Sequence, residues 1–341
     1  MTEHTPTIVD VAELANVSKS TVSNVVRGTV GVAPQTRDRV ERAIADLGYR
    51  PNALARQFVQ QRTTLIGVLV GDLDNPFYGE LSKRVERCAF EHGYTTMFCN
   101  IEGPDEYALP RVRAMVEQRV AGVVLLTLFA RTPVIEAELE GRVPVVFAGL
   151  REQWGDSVST SDAAGGRLAI EHLIQLDHRR IAFVTSPHVE QRAERARYNS
   201  YRSTMRAAGL QARPPIHWDA GSETATIRRE VRPLLDEIRG GGATAAFCAN
   251  DLAAIALLDF CDRHAIKVPD ALSVVGFDDV YLAGLMRISL TTVRQPLDQI
   301  AATAVDVVMS RLDGTLVGPA RHVVAAPSLV VRASTAKPRR R

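Results

Sequence analysis

Hydrophobic periodicity predicts a short helix near the start of the chain. Its apolar residues recur at three- and four-residue spacing and share one helical face: Ile8, Val11, Leu14 and Ala15. Thr7 is positioned to cap this helix, and Asp10 follows three residues later. The pattern therefore predicts a capped, amphipathic helix over residues 8–15.

Two further short helices follow after brief links. Residues 19–27 carry valines at positions 22, 25 and 26, which predict one buried stripe. The next helix is predicted to begin at Pro34, run to about Leu47 and end at Gly48. Two helices joined by about three residues form a helix-turn-helix, whose second helix enters the DNA major groove. The alternative interpretation is a three-helix bundle without a DNA role.

From residue 65 onward, continuous apolar runs alternate with helical patterns. The predicted strands are 65–70, 95–99, 122–126, 143–147, 181–185, 245–248 and 273–277. The predicted helices between them are 77–92, 110–118, 165–176, 190–208 and 252–264. This alternation indicates parallel sheets with helices on both faces, repeated as two units in tandem. Two such lobes enclose a cleft beyond the carboxyl ends of their strands, where ligands bind.

Composition indicates the class of protein and the cellular compartment that we expect for it. The 341 residues are 46% hydrophobic, which is normal for packed globular domains. No apolar run approaches the roughly 18 residues that span a membrane, and the first seven residues lack a signal-peptide core. We therefore expect a cytoplasmic protein without membrane partners.

The net charge is only +2, but residues 332–341 hold five Lys or Arg and no acid. This basic tail is expected to be a solvated end, with a weak phosphate contact as the alternative.

Metal, redox and enzyme signatures are missing from the sequence. The four cysteines form no C-x-x-C pair and lack a histidine at zinc-ligand spacing: Cys88, Cys99, Cys248 and Cys261. Reduced thiols, and neither metal nor cofactor, are the expectation. No Gly-rich phosphate loop, H-E-x-x-H or G-x-S-x-G occurs, so an enzyme is disfavoured. The adjacent Asp278 and Asp279 are weak support for catalysis.

Several segments together resemble one family of proteins. The matching segments are 10–23 (DVAELANVSKSTVS), 36–40, 47–55, 74–78, 178–184, 249–251, 276–279, 290–296 and 329–335. In register over nearly the whole chain, they resemble the LacI/GalR (lactose-repressor) family of bacterial transcription regulators. The resemblance implies an all-α helix-turn-helix headpiece followed by an α/β core like periplasmic sugar-binding proteins, built of two doubly wound lobes. It also implies a repressor whose operator affinity is set by a small molecule, expected to be a sugar or sugar derivative.

The resemblance also implies domain boundaries. It places the headpiece at 1–48, a hinge helix and linker at 49–62, and an effector-binding and dimerisation core at 63–341. Three crossings of the chain would divide the core between an N-lobe, about 63–160 and 291–325, and a C-lobe, about 161–290 and 326–335, with the basic tail at 336–341.

The start of the second headpiece helix carries the expected DNA-reading residues. Lys19 can donate to guanine and Asn24 can pair with adenine, while hydroxyls nearby suit phosphates. The expected contacts are Ser18, Lys19, Ser20, Thr21, Ser23, Asn24 and Arg27. The family often has arginine at the position of Asn24 and asparagine at that of Arg27, so the operator should differ there. The alternative for Lys19 is plain phosphate attraction.

The segment after the headpiece resembles a hinge that becomes helical only on operator DNA. Paired hinges of the family enter the minor groove, where an apolar side chain wedges between base steps. The residues that would do so here are Asn52, Leu54, Ala55 and Phe58. Phe58 stands where leucine is usual, and packing against the core is its alternative role.

The resemblance also carries an effector site in the cleft. Aromatic faces at Phe77 and Tyr78 can stack on a sugar ring or base, and Arg197 can hold hydroxyls or a carboxylate with two parallel bonds. The expected effector contacts are Phe77, Tyr78, Arg195, Arg197, Asn250 and Asp278. Gly149 and Ala163 stand where the family often has Asp and Asn. Their presence would suit a ligand with fewer hydroxyls, or one carrying negative charge near Arg197. For each polar residue, the alternative is a structural role.

Partners follow from the same reasoning. One headpiece reads only a few base pairs, so a homodimer on a palindromic operator is expected. Residues 336–341 lack the leucine-rich helix that makes some family members tetrameric, so we expect dimers that do not pair further. The competing function is a solute-binding protein without a regulatory role.

Overall fold

The computed structural model describes residues 6–26, 31–49, 63–101, 105–126, 133–185, 192–217, 240 and 242–339. The chain divides between Thr63 and Thr64 into two compact units. The smaller is helical and the larger contains two six-stranded sheets.

The described residues of the smaller unit, the headpiece, form three helices: α1 (Ile8–Leu14), α2 (Lys19–Val26) and α3 (Pro34–Leu47). Side chains from all three pack into one core that includes the fully buried Val11, Val22 and Val40. Asn16 adopts φ 51° in the link between α1 and α2, a conformation that asparagine tolerates better than most residues. The helix-turn-helix predicted from the sequence is therefore confirmed.

Caps define the ends of the headpiece helices as predicted. The Thr7 amide donates to Asp10 at 2.7 Å, and the Thr7 hydroxyl accepts from the Val9 amide at 3.3 Å. These bonds satisfy groups that the first turn of a helix leaves without partners. At the other end of the headpiece, Gly48 ends α3 in the left-handed conformation, with φ 61°.

The first sheet of the larger unit, sheet A, is entirely parallel. Its strands are β1 (Leu65–Val70), β2 (Thr95–Asn100), β3 (Gly122–Leu126), β4 (Val145–Ala148), β5 (Asp156–Thr160) and β11 (His322–Ala325). Their spatial order is β11-β5-β4-β3-β1-β2. The associated helices are α4 (Pro76–Glu91), α5 (Asp105–Glu117), α6 (Pro133–Leu139) and α10 (Leu297–Leu312). Apolar clusters cover both faces of this sheet, which is why β1 and β3 are continuous apolar runs.

The second sheet, sheet B, repeats the design. Its strands are β6 (Ile181–Thr185), β7 (Ile216–His217), β8 (Ala245–Cys248), β9 (Ser273–Asp278), β10 (Thr291–Arg294) and β12 (Ser328–Val330). The order is β12-β10-β9-β8-β6-β7, and only the β10–β12 pair is antiparallel among these strands. The remaining elements are α7 (Asp162–Gln175), α8 (Arg192–Ala207), α9 (Asp251–Arg263) and a 3₁₀ helix at Tyr281–Gly284. The predicted fold class, a helical headpiece and two doubly wound lobes, is confirmed.

The chain passes three times between the sheets. It leaves sheet A after β5, returns after β10 and leaves again between β11 and β12. The sequence interpretation assigned 291–325 to the first lobe, but residues 291–294 lie in sheet B. The reason is that β10 pairs in parallel with β9, so the second crossing comes after Arg294.

Candidate functional site

The exposed face of α2 carries the predicted DNA-reading residues. Val22 and Val25 lie on the buried face of α2. Lys19 and Ser20 lie on other faces and are exposed, and Asn24 is partly exposed. Ser23 and Thr21 are partly exposed as well. Within the smaller unit, the structure brings these side chains together at the start of one helix. Arg27 and the hinge residues Asn52, Leu54, Ala55 and Phe58 lie outside the described residues.

Ser18 has a structural role that the sequence interpretation did not assign. Its hydroxyl accepts from the Thr21 amide at 3.1 Å and lies 2.8 Å from the Thr21 hydroxyl. The Ser20 hydroxyl lies 2.7 Å from the Ser18 hydroxyl. Ser18 therefore caps α2 and aligns two further hydroxyls on the face that was predicted to meet phosphates.

A small cavity of about 70 Å³ lies between the two lobes of the larger unit, beyond the carboxyl ends of β4, β8 and β9. Its lining residues come from both lobes: Asn75, Phe77, Tyr78, Ala148, Gly149, Leu150, Ala193, Glu194, Arg197, Asn250, Asp278 and Gln295. Five of the six predicted effector residues are among them. This is the location that two open α/β sheets favour for a ligand.

Arg197 is held from several sides. Its Nε donates to Asp162 Oδ1 at 2.8 Å, and its Nη1 donates to the Ala249 carbonyl at 2.6 Å. Nη1 also lies 3.9 Å from Asp278 Oδ1, and the guanidinium covers the Phe277 ring at 3.6 Å from its centroid. These charged and aromatic partners stabilise a cation that is only 7% exposed.

Asp278 ends β9 in a conformation that side chains rarely adopt, with φ 124°. Gln295 Nε2 donates to its Oδ1 at 2.7 Å. Burial raises the pKa of the Asp278 carboxyl to about 7, and Arg197 opposes this rise. A carboxyl in this state can accept from, or donate to, a hydroxyl in the cavity.

Two asparagines in the cavity wall act as helix caps. Asn75 Oδ1 accepts from the Phe77 amide at 3.0 Å, and Asn250 Oδ1 accepts from the Ala253 amide at 2.8 Å. Because capping uses the oxygen of each side chain, the Nδ2 groups remain as the donors that these residues can offer a ligand. The predicted contact at Asn250 therefore shares its side chain with a structural role.

Aromatic side chains form one wall of the cavity. Phe77 and Tyr78 lie edge to face with ring centroids 5.2 Å apart, and Phe77 also packs into the core of the first lobe. Burial raises the pKa of the Tyr78 hydroxyl, so it stays protonated at neutral pH. Gly149 adopts φ +90°, and a Cβ there would lie 3.4 Å from Phe77 Cζ. The glycine that departs from the family pattern therefore fits the aromatic wall closely.

Arg195 is not brought into the cavity, although it was predicted there. It is exposed, whereas Glu194 and Arg197 are buried on the same helix. Two residues span about 200° around a helix, so Arg195 and Arg197 point to opposite sides. The sequence motif alone could not separate the two arginines, but the helical phase could have.

Three polar groups in or beside the cavity were not predicted from the sequence. Glu194 accepts from the Thr185 hydroxyl at 2.6 Å, Gln295 holds Asp278, and Asp162 pairs with Arg197. Glu194 packs against Thr185 at the end of the predicted strand β6, whereas Asp162 and Gln295 lie just beyond β5 and β10. Periodicity did not predict β5 or β10, so position after a strand end could not have identified Asp162 and Gln295.

No group of three or more His, Cys, Asp or Glu side chains among the described residues is arranged to hold a metal ion. No described helix combines the length and the apolar character that crossing a membrane demands.

Two family models match the chain. The model described as "Bacterial regulatory proteins, lacI family" matches residues 7–52, and "Periplasmic binding protein-like domain" matches residues 170–335. The ribose operon repressor of Escherichia coli (strain K12) is 35% identical over 313 residues, covering 90% of this chain and 93% of that protein. The HTH-type transcriptional repressor PurR of Aliivibrio salmonicida (strain LFI1238) is 31% identical over 313 residues, with 90% and 92% covered.

Solved structures give the same assignment. A lac repressor dimer bound to operator and the anti-inducer ONPF matches with TM-score 0.83 and 27% identity, covering 98% of this chain and 100% of that one. A complex of the transcriptional regulator CelR with cellobiose matches with TM-score 0.69 and 29% identity, covering 96% and 99%. These relatives are regulators and not enzymes. The chain belongs to the lacI family of bacterial regulatory proteins, as a DNA-binding transcriptional repressor under the control of an effector.

Proposed function

We propose that the effector is a neutral carbohydrate held in the cavity between the lobes, and that its binding sets the affinity of a homodimer for a palindromic operator. The observation that carries this proposal is the group of polar side chains around an aromatic wall. Asp278 and Arg197 provide a carboxyl and a guanidinium, and Asn75 and Asn250 present amide NH₂ groups. Sugar hydroxyls both donate and accept, so one ring can serve all of these groups.

The charge of the cavity argues against an anionic effector. The Arg197 guanidinium is already paired with Asp162 and lies close to Asp278. Glu194 adds another acidic side chain to the lining. A phosphate or carboxylate on the ligand would meet more acidic than basic groups at short range in a low dielectric. Of the two ligand types that Gly149 and Ala163 suggested, the one with fewer hydroxyls and no charge is therefore favoured.

Relatives point to the same ligand class. The ribose operon repressor is named for a pentose operon, and the CelR structure contains cellobiose. The PurR relatives are comparably similar to this chain, so similarity alone does not select a sugar. The mixed donors and acceptors beside Phe77 and Tyr78 support a polyhydroxylated ring over a purine, because a planar base would leave several of them without partners.

The size of the cavity connects ligand binding with a change in the lobes. Sites for small ligands usually measure about 300–1,000 Å³, whereas this cavity measures about 70 Å³. A sugar therefore requires the two lobes to separate or re-orient. A ligand that prefers one arrangement shifts that equilibrium, typically with a coupling of about 1–3 kcal/mol to the other site.

Reading of the operator is assigned to α2. Lys19, Ser20 and Asn24 lie on its outer face and would meet base edges, while Ser18, Thr21 and Ser23 would meet phosphates. Two headpieces related by a twofold axis match the two halves of a palindrome. The hinge residues, including Phe58, would contact the minor groove as the sequence interpretation proposed.

A panel of neutral pentoses, hexoses and disaccharides, each beside its phosphate ester where one exists, tests the effector class. We expect a neutral sugar to raise the unfolding temperature of the wild-type protein and to change its operator affinity by about 5–150-fold. Asp278→Asn should weaken the response, whereas Arg195→Ala should leave it unchanged because Arg195 is exposed away from the cavity. Stabilisation by the phosphate ester alone would contradict the neutral class. Sugar binding without any change in operator affinity would favour the solute-binding alternative.

A further inference from the structure

A second groove lies at the opposite end of sheet B from the effector cavity. It surrounds the amino ends of β6, β8 and β9, where Arg180, Thr244 and Ala271 precede or approach the strands. This open groove measures about 1030 Å³, far more than the effector cavity. Within the larger unit, its place at the other end of sheet B separates it from the residues that line the effector cavity.

The groove is lined by an excess of positive charge. Five cationic side chains surround it: Arg179, Arg180, Lys267, Lys337 and Arg339. Only two acidic side chains, Asp177 and Asp270, share the lining, which leaves an excess of three positive charges. Residues 63–341 together hold 33 basic and 33 acidic side chains, so this excess of cations is local to the groove.

The two carboxylates do not neutralise all of these cations. Asp177 lies 3.5 Å from Arg179 and 3.9 Å from Lys337, so one carboxylate serves two cations. Asp270 pairs with Arg339 at 2.6 Å. Among the described residues, no ion pair joins an acidic group to Arg180 or Lys267, and both side chains are exposed.

The chain after β12 is fixed beside the groove by partly buried hydrogen bonds. The Ala336 carbonyl accepts from His178 Nε2 at 2.8 Å, and the Ala336 amide donates to Ser273 Oγ at 3.1 Å. The Ser334 carbonyl accepts from the Val274 amide at 2.8 Å. These bonds fix the backbone that precedes Lys337 and Arg339 beside the groove.

We propose that this groove binds a multivalent phosphate anion, of the kind found in a polyphosphate chain or the triphosphate of a nucleotide. Several cations spread around an open groove match a ligand with several linked phosphates better than a single phosphate. Arginines pair with phosphate oxygens through two parallel bonds, and lysines act as point charges. Because the cations are exposed, each contact is weak and screened by salt, and affinity comes from their number.

Calorimetric titration of tripolyphosphate into the full-length protein tests the proposal. The titration is made at about 50 mM and at about 200 mM salt, because binding through several phosphate contacts weakens steeply over this range. The variant Arg180→Ala/Lys267→Ala removes the two cations without ion pairs. We expect it to weaken binding by about tenfold or more. The matched control Lys83→Ala/Arg206→Ala removes two exposed cations from α4 and α8 and should bind like the wild-type protein. A separate Lys19→Ala variant shows whether the headpiece accounts for the binding.

Three results would show that the groove is not the site. Equal binding by the Arg180→Ala/Lys267→Ala variant would show that the anion binds elsewhere, and loss of binding in Lys19→Ala would assign it to the headpiece. Absence of binding at the lower salt would exclude an anion site altogether. A parallel titration with ATP separates the two sources of the phosphates. Equal affinity indicates that only the phosphates are bound, and tighter binding of ATP adds a contact to the nucleoside.

Discussion

Arg197 and Asp278 show what single residues contribute to the cleft. Both were predicted from the family motif, and both line the cavity. Their partners Asp162, Ala249 and Gln295 were not predicted, because each is far from them in sequence and is brought close only by the strand order. A motif can identify a polar residue beside a ligand, but the pairing that sets its charge depends on the whole fold.

The raised pKa of Asp278 predicts a pH-dependent stability. A carboxyl whose pKa is higher in the folded state stabilises the fold when protonated, and this contribution is lost as pH rises. Compared with Asp278→Asn, the wild-type protein should therefore lose stability between about pH 4 and the folded value of about 7. Chemical denaturation of both proteins across this range measures the difference. A difference that stays constant with pH would contradict the burial argument.

Adding a single methyl group at Gly276 is expected to destabilise the protein strongly. A Cβ there would lie 2.2 Å from Asp251 Oδ1. That carboxylate cannot move easily, because Thr292 Oγ1 donates to it at 2.6 Å and the Val280 amide at 2.9 Å. Gly276→Ala should therefore destabilise the protein by about 1–3 kcal/mol.

Gly79 supplies the matched control for this substitution. It lies in α4, and a Cβ there would meet nothing within 4 Å. Gly79→Ala should be neutral or stabilise by up to about 1 kcal/mol, because alanine favours the helix. Urea unfolding of both variants measures the two effects, and equal stability of the two would contradict the account.

Among the helices and strands, those whose own sequence determines their structure were predicted correctly. β1, β3 and β8 were predicted with the bounds they have, because continuous apolar runs mark strands buried on both faces. β5 was missed because Asp156, Ser157, Ser159 and Thr160 are polar yet buried. Its first residue pairs with Arg311 at 2.7 Å, and Ser157 with His322 at 2.8 Å. Such a strand is stabilised by distant partners, so its own sequence does not reveal it.

The cap of α1 gives a prediction at this scale. Thr7→Ala removes the hydroxyl that accepts from Val9 and that also donates to Asp10 at 2.8 Å. Loss of such a cap typically costs about 0.5–2 kcal/mol, and here it acts on the three-helix headpiece alone. Amide hydrogen exchange should therefore speed up in residues 8–26 and stay unchanged in sheet B. Uniform acceleration in both units, or none, would contradict the assigned role of Thr7.

In the larger unit as a whole, apolar periodicity predicted the two lobes, whereas only the family resemblance implied that strands are exchanged between them. Apolar alternation indicates two α/β lobes, but it does not say which lobe receives a strand such as Thr291–Arg294. That strand is short and pairs with β9 and β12, which precede and follow it at a distance in sequence. The pairing of β10 with β9 places Gln295 beside Asp278, and so connects the crossing point to the cavity.

Exposed apolar residues of the larger unit predict a dimer. Tyr281 is 64% exposed, Leu285 48% and Met286 92%, an apolar group within six residues. Sedimentation at micromolar concentration should give a dimer that does not form tetramers. Met286→Asp should shift it towards monomer, because burying an unpaired charge is unfavourable. Val317→Asp, which changes a residue that is 76% exposed elsewhere, serves as the control. A wild-type monomer or a stable tetramer would contradict this assembly.

Selection of bound sequences from random DNA by the full-length protein tests the central claim most directly, because it asks whether the headpiece reads a defined operator as a symmetric pair. We expect a palindrome whose half-sites depend on Lys19 and Asn24, with a flexible pyrimidine–purine step at its centre. Asn24→Arg should change the preferred base at one position of each half-site and leave the rest. A bound pool without any common sequence, held only by salt-sensitive attraction, would contradict the account.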